Sequence, residues 1–213
     1  MGKREQNLAR ILGAREKPLL RVLKLAEILS SEYTDEILSV YKRLGGVQAH
    51  CIPHLGKWDM ALGDLAIELD EEQHFNRYRE VTLDSAAYSK LPKFPKSEYL
   101  SYCRMHEDAA LRKAGHGGWW TNPSCEKQFG EASDRRTLDD KGAPRWKQRA
   151  FHDFAKDLTP LIVGLPVARV SIWDTVMIDE KPFQVKDILV EKTVDMGRTR
   201  ESLLRLLHDR ALI

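Results

Sequence analysis

The sequence predicts an α/β domain, and three observations carry that expectation. Two short alternating runs, residues 57–62 and 65–70, are separated by Gly63-Asp64, the signal for a two-residue hairpin. A further apolar run, VARVSIW at 167–173, reads as a strand. Around these runs, apolar residues recur at three- and four-residue spacings, the helical period, over residues 8–29, 34–44 and 146–158. Strands alternating with helices in 213 residues suit a single domain, with a mixed central sheet flanked by helices in three layers.

Taken in order, Leu8, Ile11, Leu12, Leu19, Leu20, Leu23, Ala26 and Ile28 predict a helical N-terminal extension over residues 1–32, interrupted at Pro18. Ser31 or Thr34 then caps a second helix that buries Ile37, Leu38, Tyr41 and Leu44 and closes at Gly45-Gly46. Residues 47–55, VQAHCIPHL, read as the first strand. In the hairpin that follows, the turn sets Leu62 opposite Leu65, Met60 opposite Ile67 and Trp58 opposite Leu69 as one apolar face. The period of two puts Ala61 against Ala66, Asp59 against Glu68 and Lys57 against Asp70 on the other.

Like charges directly opposed across an antiparallel pair destabilise it. Two readings of this face follow. It is solvated, with Lys57 neutralising Asp70, or it holds a hard cation such as Mg²⁺ on its carboxylates. A polar helix or loop, residues 75–88, carries Arg77, Arg79 and Glu80.

Regularity falls away over residues 90–144, punctuated by Pro and Gly, so this stretch reads as an irregular insertion with one short helix at 99–114. An amphipathic helix at 146–158 buries Ala150, Phe151, Phe154, Ala155 and Leu158. It precedes Gly164-Leu165-Pro166 and the strand ending at Asp174. A C-terminal helix closes residues 191–213, leaving 33–89 and 145–190 as the core.

The order of acidic helix start, strand, Asp59, eight residues, Glu68-x-Asp70 and His74 resembles the PD-(D/E)XK nuclease superfamily, and within it the branch similar to very-short-patch-repair (Vsr)-like endonucleases. Thr34 and Glu36 match that branch's helix start, and Asp59, Glu68, Asp70 and His74 match its strands; residues 146–174 match more weakly its last helix and strand. Glu71 stands where the branch has Gly, and no Lys follows Glu68 at the family's usual third position. The resemblance implies a restriction-endonuclease-like core and a metal-dependent endonuclease that hydrolyses DNA phosphodiester bonds in repair, restriction or defence. It implies Mg²⁺ or Mn²⁺ on Asp59, Glu68, Asp70 and, from the helix start, Glu36, whose place in the first turn equally suits an acidic residue complementing the helix dipole. His74 or Gln73 would position a water or the leaving group, and Lys147 or Arg149 would stabilise charge on the phosphate. Arg169 is similar to a position often basic in the branch. Another class stays open, a non-catalytic nucleic-acid-binding or regulatory module with a degenerate nuclease fold, acting within a larger assembly.

The rest of the sequence bounds these readings. A net charge of +2 marks no nucleic-acid binder by itself, but residues 1–24 hold seven basic side chains against two acidic. A second basic stretch contains Arg135, Arg136, Lys141, Arg145, Lys147 and Arg149. Arg77, Arg79, Arg145, Lys147 and Arg149 are the candidates for a DNA backbone. Cys103, His106, His116 and Cys125 are candidate ligands for a structural Zn²⁺, though their spacing follows no standard finger, and Cys51 with His54 repeats a C-x2-H spacing upstream. Trp119-Trp120 is a core anchor or a base-stacking element. Three cysteines make no disulfide framework, no run approaches the ~18 apolar residues of a membrane span, and MGKREQNLAR has no apolar signal core. The expectation is a cytoplasmic protein with DNA as partner, no membrane partner, and a homodimer or a larger defence or repair assembly as candidate states.

Overall fold

A computed structural model of the chain describes residues 2–49, 53–113, 119–190 and 195–212. Helix α1 (Lys3–Leu12) is stopped by Gly13, which takes φ +67° where a glycine has no Cβ to clash. Strand β1 (Arg15–Glu16), α2 (Leu25–Leu29) and α3 (Thr34–Arg43) follow. The hairpin is β2 (Met60–Leu62) and β3 (Leu65–Asp70), with Gly63 at φ +60° in the turn. After a 3₁₀ turn at Glu72–His74 come α4 (Arg77–Leu83), a second 3₁₀ turn at Ala86–Lys90, α5 (Lys96–Lys113), α6 (Pro123–Phe129), α7 (Pro144–Asp157) and α8 (Thr159–Val163). Strand β4 (Val167–Ser171), the hairpin β5 (Thr175–Ile178) and β6 (Lys181–Gln184), α9 (Val185–Ile188) and α10 (Met196–Arg210) complete the order.

Strands β1 to β4 form one mixed sheet in that order: β1 and β3 run antiparallel to β2, and β4 runs parallel to β3. A parallel neighbour needs a long crossover, and α4 to α8 supply it. The hairpin register is Met60↔Ile67, Ala61↔Ala66 and Leu62↔Leu65, as the Gly-Asp turn requires. Glu68 and Asp70 therefore point to one face, which Arg169 shares because it lies beside Glu68 in the parallel register. Helix α7 covers that face: its Lys156 meets Glu68 and its Asp153 and Asp157 meet Arg169. Helices α1 and α10 pack on each other, α1 also on β2 and α10 on β4. The sheet with its helices is compatible with a three-layer α/β fold.

Several sequence expectations are corrected. The N-terminal helix is two short helices separated by an extended stretch, because Gly13 ends the first before Pro18 is reached. The described part of residues 47–55 is not a strand, and the edge position beside β2 is taken by Arg15–Glu16 instead; Cys51 lies outside the described residues. Strand β2 starts at Met60, so the alternation does not reach Trp58. That indole packs with Ala66 and Val167 on the opposite side from Ile67 and Leu69, with its Nε1 donating to the Arg21 carbonyl at 2.9 Å. The described part of residues 90–144 is no loose insertion: α5 packs on α4 and α6 on α7, with Tyr99, Cys103, Ala110, Cys125 and Phe129 buried. The strand after α8 ends at Ser171, short of Trp173.

Candidate active site

The hairpin turn delivers Asp59 and Glu68 to the same place. The Asp59 Oδ2 accepts the Leu69 N–H at 2.9 Å, so a side chain does the work of the next ladder bond and fixes the carboxylate just beyond the strand end. Glu68 is 4% exposed, and its Oε1 accepts from the Lys156 ammonium at 2.7 Å. Burial pushes the Glu68 carboxyl up to about 7, and the charge of Asp59 adds to that push against the Lys156 ammonium. Asp59 is raised as well, chiefly by burial, with the Leu69 N–H pulling the other way. Lys156 is held over the Trp58 ring, 5.1 Å from its centroid, and also donates to the Lys57 carbonyl at 3.1 Å. Among the described residues nothing else bonds Asp59 Oδ1 or Glu68 Oε2.

Further along the same face lies a buried ionic network. Asp70, 1% exposed, accepts from Arg169, and its Oδ2 accepts the Tyr99 hydroxyl at 2.8 Å. Arg169 also bonds Asp153 at 3.2 Å and Asp157, and Asp157 takes Arg79 at 2.7 Å and the Tyr88 hydroxyl at 2.6 Å. The Nδ1 of His74 sits 2.8 Å from Asp153 and 3.2 Å from Asp70. Burial disfavours the charged imidazole, but the two carboxylates outweigh it and hold the His74 pKa above its ordinary value. Three carboxylates, Asp70, Asp153 and Asp157, face two guanidiniums, so a protonated His74 brings the network to neutrality.

Asp70, His74 and Asp153 offer ligand atoms within 4.8 Å of one another, and such a group can hold a metal. Arg169, however, already neutralises both carboxylates. Asp59 and Glu68 form a second candidate donor set. Both are oxygen donors with an oxygen to spare, and both are destabilised as anions by burial.

His74 opens onto a cleft of about 380 Å³, which Gln73, Arg149, Trp119 and Lys113 also line. The Arg149 Nη1 donates to the Gln73 Oε1 at 2.8 Å. On the facing wall Arg4 of α1 bonds Glu72 at 2.8 Å and Glu71 at 3.4 Å.

The other sequence candidates lie elsewhere. Glu36 bonds Ser85 and sits 3.9 Å from Arg43, with no link to Glu68. Arg79 is 1% exposed and holds Asp157, so it presents nothing to DNA. Arg77 is clamped by Glu107 and Asp139. Lys147 donates to the Lys141 carbonyl and lies over the Tyr78 ring, and Arg145 is bonded to Gln148. The Zn²⁺ candidates do not meet: Cys103 is buried in α5, His106 stacks on Trp173 at 3.7 Å, and the Cys125 Sγ lies 3.2 Å from Gln148. His116 is outside the described residues. The sequence places Lys156 and Asp153 on the polar side of an amphipathic helix and does not single them out as site residues. Their signal is that charged residues interleave with the apolar stripe of a helix that is buried on more than one side.

A family described as a family of unknown function (DUF7255) matches residues 39–191. The chain belongs to the DUF7255 family. The DUF7255 segment contains Asp59, Glu68, Asp70, His74, Asp153, Lys156 and Arg169, whereas α1, β1 and α10 lie outside it. No curated protein and no solved structure matches this DUF7255 chain.

Proposed function

We propose that the protein is a metal-dependent endonuclease hydrolysing DNA phosphodiester bonds on a restriction-endonuclease-like core of the PD-(D/E)XK type. The observation that carries this reading is Lys156: the sequence lacks the family's lysine after Glu68, and α7 brings an ammonium to 2.7 Å from that carboxylate. Asp59, Glu68 and Lys156 then stand as two carboxylates and a cation on one sheet face. A mixed sheet whose last strand is parallel to the Glu68 strand agrees with the same core.

Asp59 and Glu68 would hold Mg²⁺ or Mn²⁺, which supplies a water of lowered pKa and charge stabilisation at the phosphate. Lys156 orients the attacking water through its bond to Glu68. His74, fixed at Nδ1 by Asp153 and Asp70, presents Nε2 to the cleft and passes a proton to the leaving oxygen. Arg149 faces the phosphate from the cleft wall.

The test is cleavage of supercoiled plasmid with Mg²⁺, Mn²⁺ or EDTA. We expect metal-dependent nicking or linearisation that falls by at least about a hundredfold in Asp59→Ala, Glu68→Ala and Lys156→Ala, since removing one group that stabilises a transition state costs ~10²–10³ in rate. A folded native protein that binds DNA and leaves it intact with every metal would instead favour the non-catalytic module.

A further inference from the structure

We propose that the cleft beside His74 takes one unpaired nucleotide, its base stacked on Trp119 and its phosphate held by Arg149. This deepens the DNA reading above and rests on it.

Arg149 is a cation with no direct ion pair. Among the described residues no carboxylate lies within ion-pairing distance of it, and its hydrogen bond goes to the neutral Gln73 Oε1. Arg145 likewise bonds the neutral Gln148, whereas the remaining arginines nearby have carboxylates: Arg4 has Glu71 and Glu72, Arg77 has Glu107 and Asp139, Arg79 has Asp157, and Arg169 has three aspartates. A half-buried guanidinium in a cleft, with no direct ion pair and only the more distant charges of Asp153, Glu71 and Asp70 acting on it, is suited to an anion that arrives with the ligand, and a phosphate oxygen pair matches its planar fork.

The aromatic beside it is displayed rather than buried. Trp119 is 48% exposed, whereas its neighbour Trp120 is 3% exposed and anchored by an Nε1 bond to the Ser133 carbonyl at 2.9 Å. The Trp119 carbonyl is itself fixed by the Trp146 Nε1 at 3.0 Å. The backbone is thus pinned on both sides while the Trp119 ring faces outward, with the Arg149 guanidinium 5.9 Å from its centroid. A large apolar ring held exposed at a cleft rim serves as a stacking platform, and every base has a face to offer it.

Size and shape set the substrate class. About 380 Å³ is near the lower end of the ~300–1,000 Å³ typical of small-molecule clefts and suits one nucleotide. A base within a duplex already has both faces stacked, so only an unpaired base can reach the ring. Three carboxylates, Glu5, Glu71 and Glu72, share the cleft with the cations Arg4, Lys113 and Arg149; Glu72 is engaged by Arg4 at 2.8 Å and by Lys113 at 3.9 Å, Glu71 by Arg4 at 3.4 Å, and Glu5 accepts the Gly2 N–H, so the acidic wall is largely neutralised before a phosphate arrives. The geometry favours single-stranded, gapped or flapped DNA over continuous duplex.

The experiment measures binding of fluorescein-labelled oligonucleotides by anisotropy, in EDTA so that no cleavage intervenes. The probes are a single strand, a blunt duplex of the same sequence, the duplex with a one-nucleotide gap, and the single strand as RNA. We expect the single strand and gapped duplex to bind at least about tenfold more tightly than the blunt duplex, the worth of one base stacked on an aromatic. Trp119→Ala should erase that preference, Trp119→Phe should keep most of it, and Arg149→Gln should weaken every probe while leaving the thermal unfolding midpoint near that of the native protein. Equal affinity for single strand and blunt duplex, or a preference untouched by Trp119→Ala, overturns the proposal, as does tighter binding of the RNA strand than of its DNA counterpart. Because binding is read without metal, plasmid cleavage without single-strand preference would defeat this inference alone. A strand preference without cleavage would defeat the nuclease reading alone.

Discussion

Burial and the charge of Asp59 place the Glu68 carboxyl at about 7, above the ordinary glutamate value. A carboxyl raised in the folded state contributes fully while it is protonated and loses that contribution as pH climbs past its unfolded value towards 7. A cation bound at Asp59 and Glu68 offsets the loss, and it competes with the proton below that range. Mg²⁺ or Mn²⁺ should therefore stabilise the fold by about 2.7 kcal/mol at a hundredfold excess over its Kd at pH 8, and raise the melting temperature less at pH 6 at the same metal concentration. Differential scanning fluorimetry reads this, and a shift that persists in the Asp59→Ala, Glu68→Ala double variant would place the ion elsewhere. Arg169 has the opposite character. It neutralises Asp70, Asp153 and Asp157 while 2% exposed, and burying charges without their partner costs about 3–5 kcal/mol. Arg169→Met should lose stability of that order in urea unfolding at pH 7. The gap should narrow on acidification: Asp153 is held well below the usual carboxylate range, against its burial, by His74 and Arg169, so its contribution is present above the unfolded value and disappears as pH falls through the depressed one.

At the scale of elements, turns were legible where their residues left no choice and illegible elsewhere. Gly63-Asp64 gave the register of β2 and β3 and with it the meeting of Asp59 and Glu68, because a two-residue turn admits one pairing. The β5–β6 hairpin carried no such signal. Its turn is Asp179-Glu180, both at positive φ, 50° and 62°, positions where non-glycine residues are uncommon. Left-handed backbone costs an L-residue ~1–2 kcal/mol, so Glu180→Gly should stabilise the protein by about 1 kcal/mol. Urea denaturation measures it, and no gain would mean that the turn is held at no such cost. Strand β1 was invisible for another reason: two residues, both exposed, have no periodicity to read. Helix α7 was readable in its apolar stripe, but the burial of Asp153, Lys156 and Asp157 depends on partners in β3, β4 and α4 that only the crossover brings near.

For the whole molecule, the family match and the packed unit do not coincide. The family segment spans residues 39–191, yet Leu8 and Leu12 of α1 are wholly buried, and Leu203 and Leu207 of α10 nearly so. Fully burying a leucine is worth about 1.5–3 kcal/mol each, which is large against a total stability of ~5–15 kcal/mol. A chain trimmed to residues 39–191 should therefore lack a cooperative unfolding transition and aggregate on size exclusion. A soluble, cooperatively folding fragment would show that α1 and α10 are accessories. Sequence alone gave both helices their apolar faces but not each other, since periodicity states that a face is buried without saying against what.

The clasp of α1 on α10, whose far end is tied to β4 by the paired backbone bonds between Val167 and Leu212 at 2.9 and 3.2 Å, also orders events in time. Helix α1 packs on β1 and β2, which follow it closely, and on α10, which lies about 180 residues further along, so during translation the part of its apolar face that α10 covers waits exposed until α10 has emerged. Contacts of such long sequence separation slow folding and lengthen the life of aggregation-prone intermediates. For this chain, the rate of reaching the native state in the cell should depend on holding α1 back from other encounters until α10 arrives.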